Sequence, residues 1–255
     1  MDNAIYVGLS RQMVLQRAID VAANNVANMD TAGFKVEHLR VVTDPETAPG
    51  SSLGFGKAPI KYALDNGMGR DFSQGAMEQT GAPFDVAING DGFFSVQSAQ
   101  GGVSYTRDGR FSTDAQNQLI DGKGEPVLDT GGSPIVIDPT KSTPVIGKDG
   151  TISQQDNTGH LSVIGRIGVT RFSNRGALTK IGSNQFTDPT GEAGGSPARD
   201  ATMDQGFVEK SNVNPVAEVT SLIDITRAYE RVQNLITTTQ DLSSKAIDAL
   251  GKLNS

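Results

Sequence analysis

Cysteine is absent from this 255-residue chain, which removes disulfides, thiolate metal sites and cysteine nucleophiles together. Tryptophan is absent as well, aromatic residues make up 5% and hydrophobic residues 36%. That is a thin core for the length, so neighbouring subunits are expected to supply part of the stability. No run of about 20 apolar residues is present, and no membrane insertion is expected. Asp2 is acidic where a cleavable signal would be basic, and polar residues interrupt any apolar stretch behind it.

Chemistry is as sparse as the composition. His38 and His160 are the only histidines, and neither belongs to a recognisable constellation of carboxylate and nucleophile, so no catalytic residue is assigned. Asp108 to Asp114 carries oxygen side chains at short spacing but lacks the bidentate Glu of a calcium loop. Gly90 and Gly92 are not followed by a helix-opening glycine, so they form no phosphate loop. No metal and no cofactor is expected. Of 22 basic and 29 acidic residues, four of each fall in residues 1–40 and five of each in residues 210–255. The net charge of −7 therefore sits in the middle, and an acidic centre without a basic patch argues against nucleic-acid binding. Neutral ends can pack against copies of themselves without net repulsion.

What the sequence does have is helix at both ends. Leu9 to Ala32 and Val216 to Leu250 contain neither Gly nor Pro, whereas only Gly8, Gly33 and Gly251 of the 30 glycines lie outside the middle. The first helix can be capped by Asp2 or Asn3. Its apolar seam reads Ile5, Gly8, Leu15, Ile19, Ala22, Val26 and Met29, widened by Leu9 and Ala23. Gly33 is its expected stop, a residue beyond the last turn with positive φ. The second helix starts more cleanly, with Asn214 as cap and Pro215 at the first helical position. Its seam runs Leu222, Ile225, Tyr229, Val232, Ile236, Thr239, Leu242, Ala246, Leu250 and Leu253, in alternating steps of three and four. Thr237, Thr238, Gln240, Ser243 and Ser244 give its other faces a polar, weakly charged character. Lone helices are marginal in water, so both ends are expected to order on assembly.

The middle reads as β. Phe84 to Ile88 and Phe93 to Val96 alternate, and Asn89-Gly90-Asp91-Gly92 between them suits a tight hairpin turn. Asp108-Gly109, Asp121-Gly122 and Asp149-Gly150 mark further turns. His160 to Phe172 and Ala177 to Phe186 read as longer strands, and Gly191 to Pro197 as a loop. The expected fold class is α+β. Long terminal helices (residues 1–36 and 208–255) pack as a helical core domain, 37–76 is an extended connector, and 77–207 is a mostly antiparallel β-rich outer domain, a small sandwich or barrel.

Four segments then carry a resemblance. Asn24-Asn25-Val26-Ala27-Asn28-Met29-Asp30-Thr31-Ala32-Gly33-Phe34-Lys35 is similar to the N-terminal signature of the bacterial flagellar rod and hook proteins. Ser211-Asn212-Val213-Asn214, followed by Glu218, Arg227, Ala228, Tyr229 and Glu230, resembles their C-terminal signature. Asp85 to Phe94 and Tyr105-Thr106-Arg107-Asp108-Gly109-Arg110-Phe111 resemble the motifs of their β domain. The order is right from end to end, and Met1-Asp2-Asn3-Ala4-Ile5-Tyr6 with the short length most resembles the proximal-rod branch, with the distal-rod branch close behind. One departure is Ile225-Thr226 before Arg227, where the family more often has Ala-Gln.

The resemblance implies a structural subunit of the basal-body rod in the periplasm, not an enzyme. Its partners would be copies of itself, other rod subunits and the flagellar type III export apparatus. Its terminal helices would stack into a tubular, torque-transmitting shaft around an export channel. The expected subunit interface comprises Ile5, Leu9, Leu15, Ile19, Asn24, Asn25, Val26, Asn28, Gly33 and Phe34 from the first end. From the second end it comprises Leu222, Tyr229, Val232, Ile236, Leu242 and Leu250. A self-contained binding module with a helical stalk is the alternative of another class, and an enzyme comes third.

Overall fold

The computed structural model describes residues 2–46, 60–99 and 101–252, and the chain divides into two compact units. The first comprises Met1–Ala27, Glu37–Asp71 and Asn214–Ser255; the second comprises Asn28–Val36 and Phe72–Val213. The chain therefore enters each unit more than once. The fold is α+β, with one long helix near each end and antiparallel strands between them.

In the first unit, helix α1 spans Asp2–Ala27 and the hairpin strands are β1 (Glu37–Glu46) and β2 (Ile60–Arg70). Helix α2 spans Pro215–Lys252. Its 38 residues would extend about 57 Å. It starts where the sequence reading places it. The Asn214 side-chain oxygen accepts the Ala217 N–H at 3.2 Å, and Pro215 opens the helix with a nitrogen that needs no partner. The end of α1 differs from expectation. The helix stops at Ala27, and Asn28 to Asp30 form a turn, so Gly33 does not cap it. The cause is Asn25, which brackets the backbone of Glu37. Its amide donates to the Glu37 carbonyl at 2.8 Å and its oxygen accepts the Glu37 N–H at 3.0 Å. That pair of bonds brings the chain back against the last turn of the helix. Strands β1 and β2 pair from Glu37 against Arg70 to Glu46 against Ile60, with a register shift between Leu39 and Val41. The expected caps Asp2 and Asn3, and the seam positions Ala246, Leu250 and Leu253, lie outside the described side chains.

Among the described residues, the second unit holds fifteen short strands. They are β3 (Met77–Gln79), β4 (Val86–Asn89), β5 (Phe93–Gln97), β6 (Val103–Thr106), β7 (Ser112–Thr113), β8 (Leu119–Ile120), β9 (Val145–Ile146), β10 (Thr151–Gln155) and β11 (Leu161–Arg166). After them come β12 (Val169–Phe172), β13 (Thr179–Gly182), β14 (Gln185–Thr187), β15 (Gly195–Pro197), β16 (Thr202–Gln205) and β17 (Phe207–Glu209). A six-stranded sheet runs in the order β13-β14-β6-β5-β12-β15, and a three-stranded one in the order β11-β10-β9. Its centre is β5, whose alternation divides two cores. Phe93 joins Phe172, Leu178 and Phe186 in one; Phe94 and Val96 join Val86, Ile88, Leu119 and Val127 in the other.

Three strand expectations are corrected. The stretches around Asn89-Gly90-Asp91-Gly92 do not pair as a hairpin: β4 pairs with β16, and β5 pairs with β6 and β12. Burial on both faces recruits a different partner for each, which a local turn signal cannot reveal. Ala177 to Phe186 is not one strand either, since Ser183 and Asn184 take φ of 43° and 57° and turn the chain between β13 and β14. Likewise His160 to Phe172 breaks into β11 and β12, which belong to different sheets.

Leu119, Val127 and Ile135, eight positions apart, form a closed ring of backbone bonds. Leu119 N–H donates to Ile135, Ile135 to Val127 and Val127 to Leu119, at 2.8, 3.1 and 2.8 Å. Each arm is shaped by an aspartate whose Oδ1 accepts two N–H groups further along: Asp114, Asp121 and Asp129. Three residues after each aspartate comes a positive φ, at Asn117, Gly124 and Gly132. These local side-chain bonds replace the ladder that such short strands cannot build.

Candidate assembly surface

The helix pair of the first unit buries one stripe and exposes another. Ile5, Leu15, Ile19 and Val26 of α1 are half-buried, as are Leu222, Ile225, Tyr229, Val232, Ile236 and Thr239 of α2. The helices run antiparallel and meet within the chain. A Cβ on Gly8 would lie 2.9 Å from Ile236 Cγ1, and Gln12 Nε2 donates to the Tyr229 hydroxyl at 2.9 Å. Asn25 Nδ2 also donates to Glu218 Oε2 at 3.3 Å. Asn24 Nδ2 donates to Glu37 Oε2 at 3.2 Å, and Arg70 Nε to Glu37 Oε1 at 2.9 Å. The asparagines of the N-terminal signature thus serve the chain's own turn. Asn28 is half-buried, and its Oδ1 accepts the Thr31 hydroxyl.

The uncovered stripe is larger than the sequence reading anticipated. Leu9 and Leu242, both of the expected interface, are exposed. Tyr6 and Met13 continue the α1 stripe, with Met13 67% exposed; Val216, Val219, Ile223 and Leu235 continue that of α2, with Val216 77% exposed. These six lie outside the expected interface, because the sequence reading follows the best-ordered seam, and that seam closes the helix pair within the chain. The signal was present in Tyr6, Leu9, Met13 and in Val216, Val219, Ile223, which repeat at steps of three and four. Leu9, Gln12, Met13, Val21, Met68 and Tyr229 contribute to the lining of a groove of about 740 Å³. On α2, Thr237, Thr238 and Thr239 return their hydroxyls to carbonyls one turn earlier at 3.1, 2.8 and 2.8 Å. Their polar atoms are satisfied locally.

Gly33 and Phe34 are placed elsewhere, in the interior of the second unit. Phe34 is 1% exposed and packs with Val36, Val213 and Met29, with the Lys180 ammonium 4.7 Å from its ring centre. Gly33 has φ of +66°, and a Cβ there would lie 2.5 Å from the Arg107–Asp108 peptide. Its N–H donates to the Glu209 carbonyl at 2.7 Å. Beside it, Glu209 accepts Lys35 Nζ, Arg107 Nη1 and the Gly75 N–H. Burial pushes the Arg107 guanidinium below its ordinary value, while Glu209 acts in the opposite sense. Phe34, expected at the subunit interface, is therefore enclosed by the chain's own residues.

Residues 5–35 match the family described as "Flagella basal body rod protein", 204–249 match "Flagellar basal body rod FlgEFG protein C-terminal", and 87–154 match "Flagellar hook protein FlgE/F/G D1 domain". A flagellar basal-body rod protein FlgF of Caulobacter vibrioides is 48% identical over 254 residues, covering 100% of both chains. The chain belongs to the flagellar basal-body rod protein family. The Mesorhizobium japonicum FlgF is 36% identical, covering 98% of this chain and 99% of that one. The Bacillus subtilis FlgG is 32% identical, covering 97% and 99% respectively. Among these relatives the rod protein is most like FlgF. It is a structural subunit of the flagellar basal-body rod and not an enzyme.

Proposed function

We propose that the first unit is the assembly module of a proximal-rod subunit. Its helices would form the helical core domain, residues 37–76 the connector and 77–207 the outer β domain. The core would join copies of this chain and other rod subunits into a tubular, torque-transmitting shaft in the periplasm. The observation that carries this reading is a pair of uncovered stripes, Tyr6, Leu9 and Met13 on α1 and Val216, Val219 and Ile223 on α2. Exposed apolar stripes of that kind ask for a protein cover. Since the two helices present different residues, the contacts would be heterologous, and a rotation that does not close gives a helical tube around a channel. The candidate interface then shifts from the closed seam towards Leu9 and Leu242 and their exposed neighbours. Delivery through the flagellar type III apparatus is part of the same proposal. The FlgF relative at 48% identity favours the proximal position; the distal position is the second reading, supported by the FlgG relative at 32%.

The test uses Met13→Glu and Ile223→Glu in a strain lacking the wild-type gene. Both side chains are exposed, so thermal unfolding of the purified chain should not change. Rod completion and swimming should fail. Full motility with either variant, at normal protein levels, would sink the assembly role of this stripe.

A further inference from the structure

We propose that Asn89 is a site of self-modification, converting to aspartate or isoaspartate through a cyclic imide, and that Gln74 sets its rate. Asn89 is the last residue of β4, opposite Thr202 of β16, and both it and Gly90 are exposed. Gly90 has φ of +105°, with open space where a Cβ would stand. No side chain at position 90 shields the reacting nitrogen.

The step balances without any added catalyst. A solvent base removes the Gly90 amide proton, and the nitrogen attacks Asn89 Cγ. A new N–Cγ bond forms, the Cγ–Nδ2 bond breaks, and the nitrogen leaves as ammonia. Water then opens the imide. Attack at Cγ gives aspartate, and attack at the main-chain carbonyl gives isoaspartate, in which the backbone runs through one extra carbon. Amide replaced by carboxylate is the net change, with water consumed and ammonia released.

Two neighbours oppose the reaction. The Gly90 N–H donates to Gln74 Oε1 at 3.2 Å. Removing that proton forfeits the bond and leaves an anion facing a carbonyl oxygen. Gln74 Nε2 also donates to the Ile88 carbonyl at 3.1 Å, so the same side chain braces both sides of Asn89. Arg107 holds the flanking carbonyls as well, Nη1 to Ile88 at 3.2 Å and Nη2 to Gly90 at 2.5 Å. An inserted backbone carbon between Ile88 and Gly90 spoils this double grip. Because Arg107 also binds Glu209, the modification loosens the buried ion network of the second unit.

The experiment incubates the purified full chain at mildly alkaline pH and follows the peptide containing Asn89 by mass, with separation of the aspartyl and isoaspartyl forms. In wild type the product should accumulate several-fold more slowly than in denaturant. Gln74→Ala should raise the native rate several-fold, Gln74→Glu, which keeps an acceptor for the Gly90 N–H, should stay near wild type, and Asn89→Gln should give no product. The isoaspartyl fraction should unfold at lower temperature than the unmodified fraction. Equal rates in wild type and Gln74→Ala would overturn the proposal, as would equal acceleration by both Gln74 variants or an absence of product in native Gln74→Ala.

Discussion

Lys35 and Glu209 lie 174 positions apart in the sequence and meet Nζ to Oε1 at 2.5 Å, each side chain 1% exposed. Arg107 reaches the other oxygen of the same carboxylate at 3.1 Å, itself 3% exposed. Two buried cations therefore share one buried anion. Glu209→Gln should cost about 3–5 kcal/mol, because it removes the charge of the one carboxylate that both buried cations share. Lys35→Met should cost less, about 1–3 kcal/mol, because the Arg107 pair survives. Urea unfolding of the full chain measures both. Equal losses would mean that the network is limited by shape and not by charge.

Gly33 carries a related prediction, set by its surroundings. If its role were only to set the exit angle of a helix, alanine would be tolerated far better than valine. The backbone of Arg107 and Asp108 instead occupies the space a Cβ needs, at 2.5 Å. Gly33→Ala should therefore be nearly as damaging as Gly33→Val, with a loss of several kcal/mol, roughly the sum of positive-φ strain and overpacking. A thermal shift of the full chain decides it. A Gly33→Ala variant with wild-type stability would show that the two segments can part at no cost.

These two sites mark the limit of what the sequence makes legible. The start of α2 is legible because Asn214 and Pro215 act within one turn. The stripe from Leu222 to Thr239 is legible because its half-buried positions repeat at helical spacing. The partners of β4 and β5 are not, because Asn89-Gly90 announces a turn but carries no information about which distant strand satisfies each edge. The Lys35–Glu209 pair is illegible for the same reason. The uncovered stripe of Tyr6, Leu9 and Met13 was readable, but periodicity alone does not say which of two apolar faces a helix keeps for itself.

Tyr105 should make the protein sensitive to alkali. Its ring packs edge-on to Phe172 at 4.7 Å between centroids, and burial, then the charge of Asp188, raises its hydroxyl above the ordinary 10.0. In the unfolded chain the group ionises at the ordinary value; in the folded chain it resists. The stabilisation is thus fully present below the unfolded value and is lost as pH rises through the folded one. Tyr105→Phe should remove that component, flattening the fall in melting temperature above pH 10.0. A wild-type fall in the variant would assign the alkaline loss to other groups.

Gly8 and Ile236 offer a test of the helix pair that needs no partner subunit. A Cβ at Gly8 would stand 2.9 Å from Ile236 Cγ1 and 3.2 Å from Cδ1. Helix propensity alone favours replacing a helical glycine, by about 1 kcal/mol for alanine. Overpacking of a close contact opposes it by about 1–3 kcal/mol, and the larger leucine should lose clearly. Ile236→Ala removes both offending carbons and leaves a gap of its own. In the double variant Gly8→Leu with Ile236→Ala, the new side chain can enter that gap. The pair should then be less destabilised than the sum of the single changes by about 0.5–3 kcal/mol, the range for residues in direct contact. Circular dichroism melting of the four proteins closes the cycle. Strict additivity would mean that α1 and α2 do not meet at this point in solution, and that Ile236 is free to face another subunit.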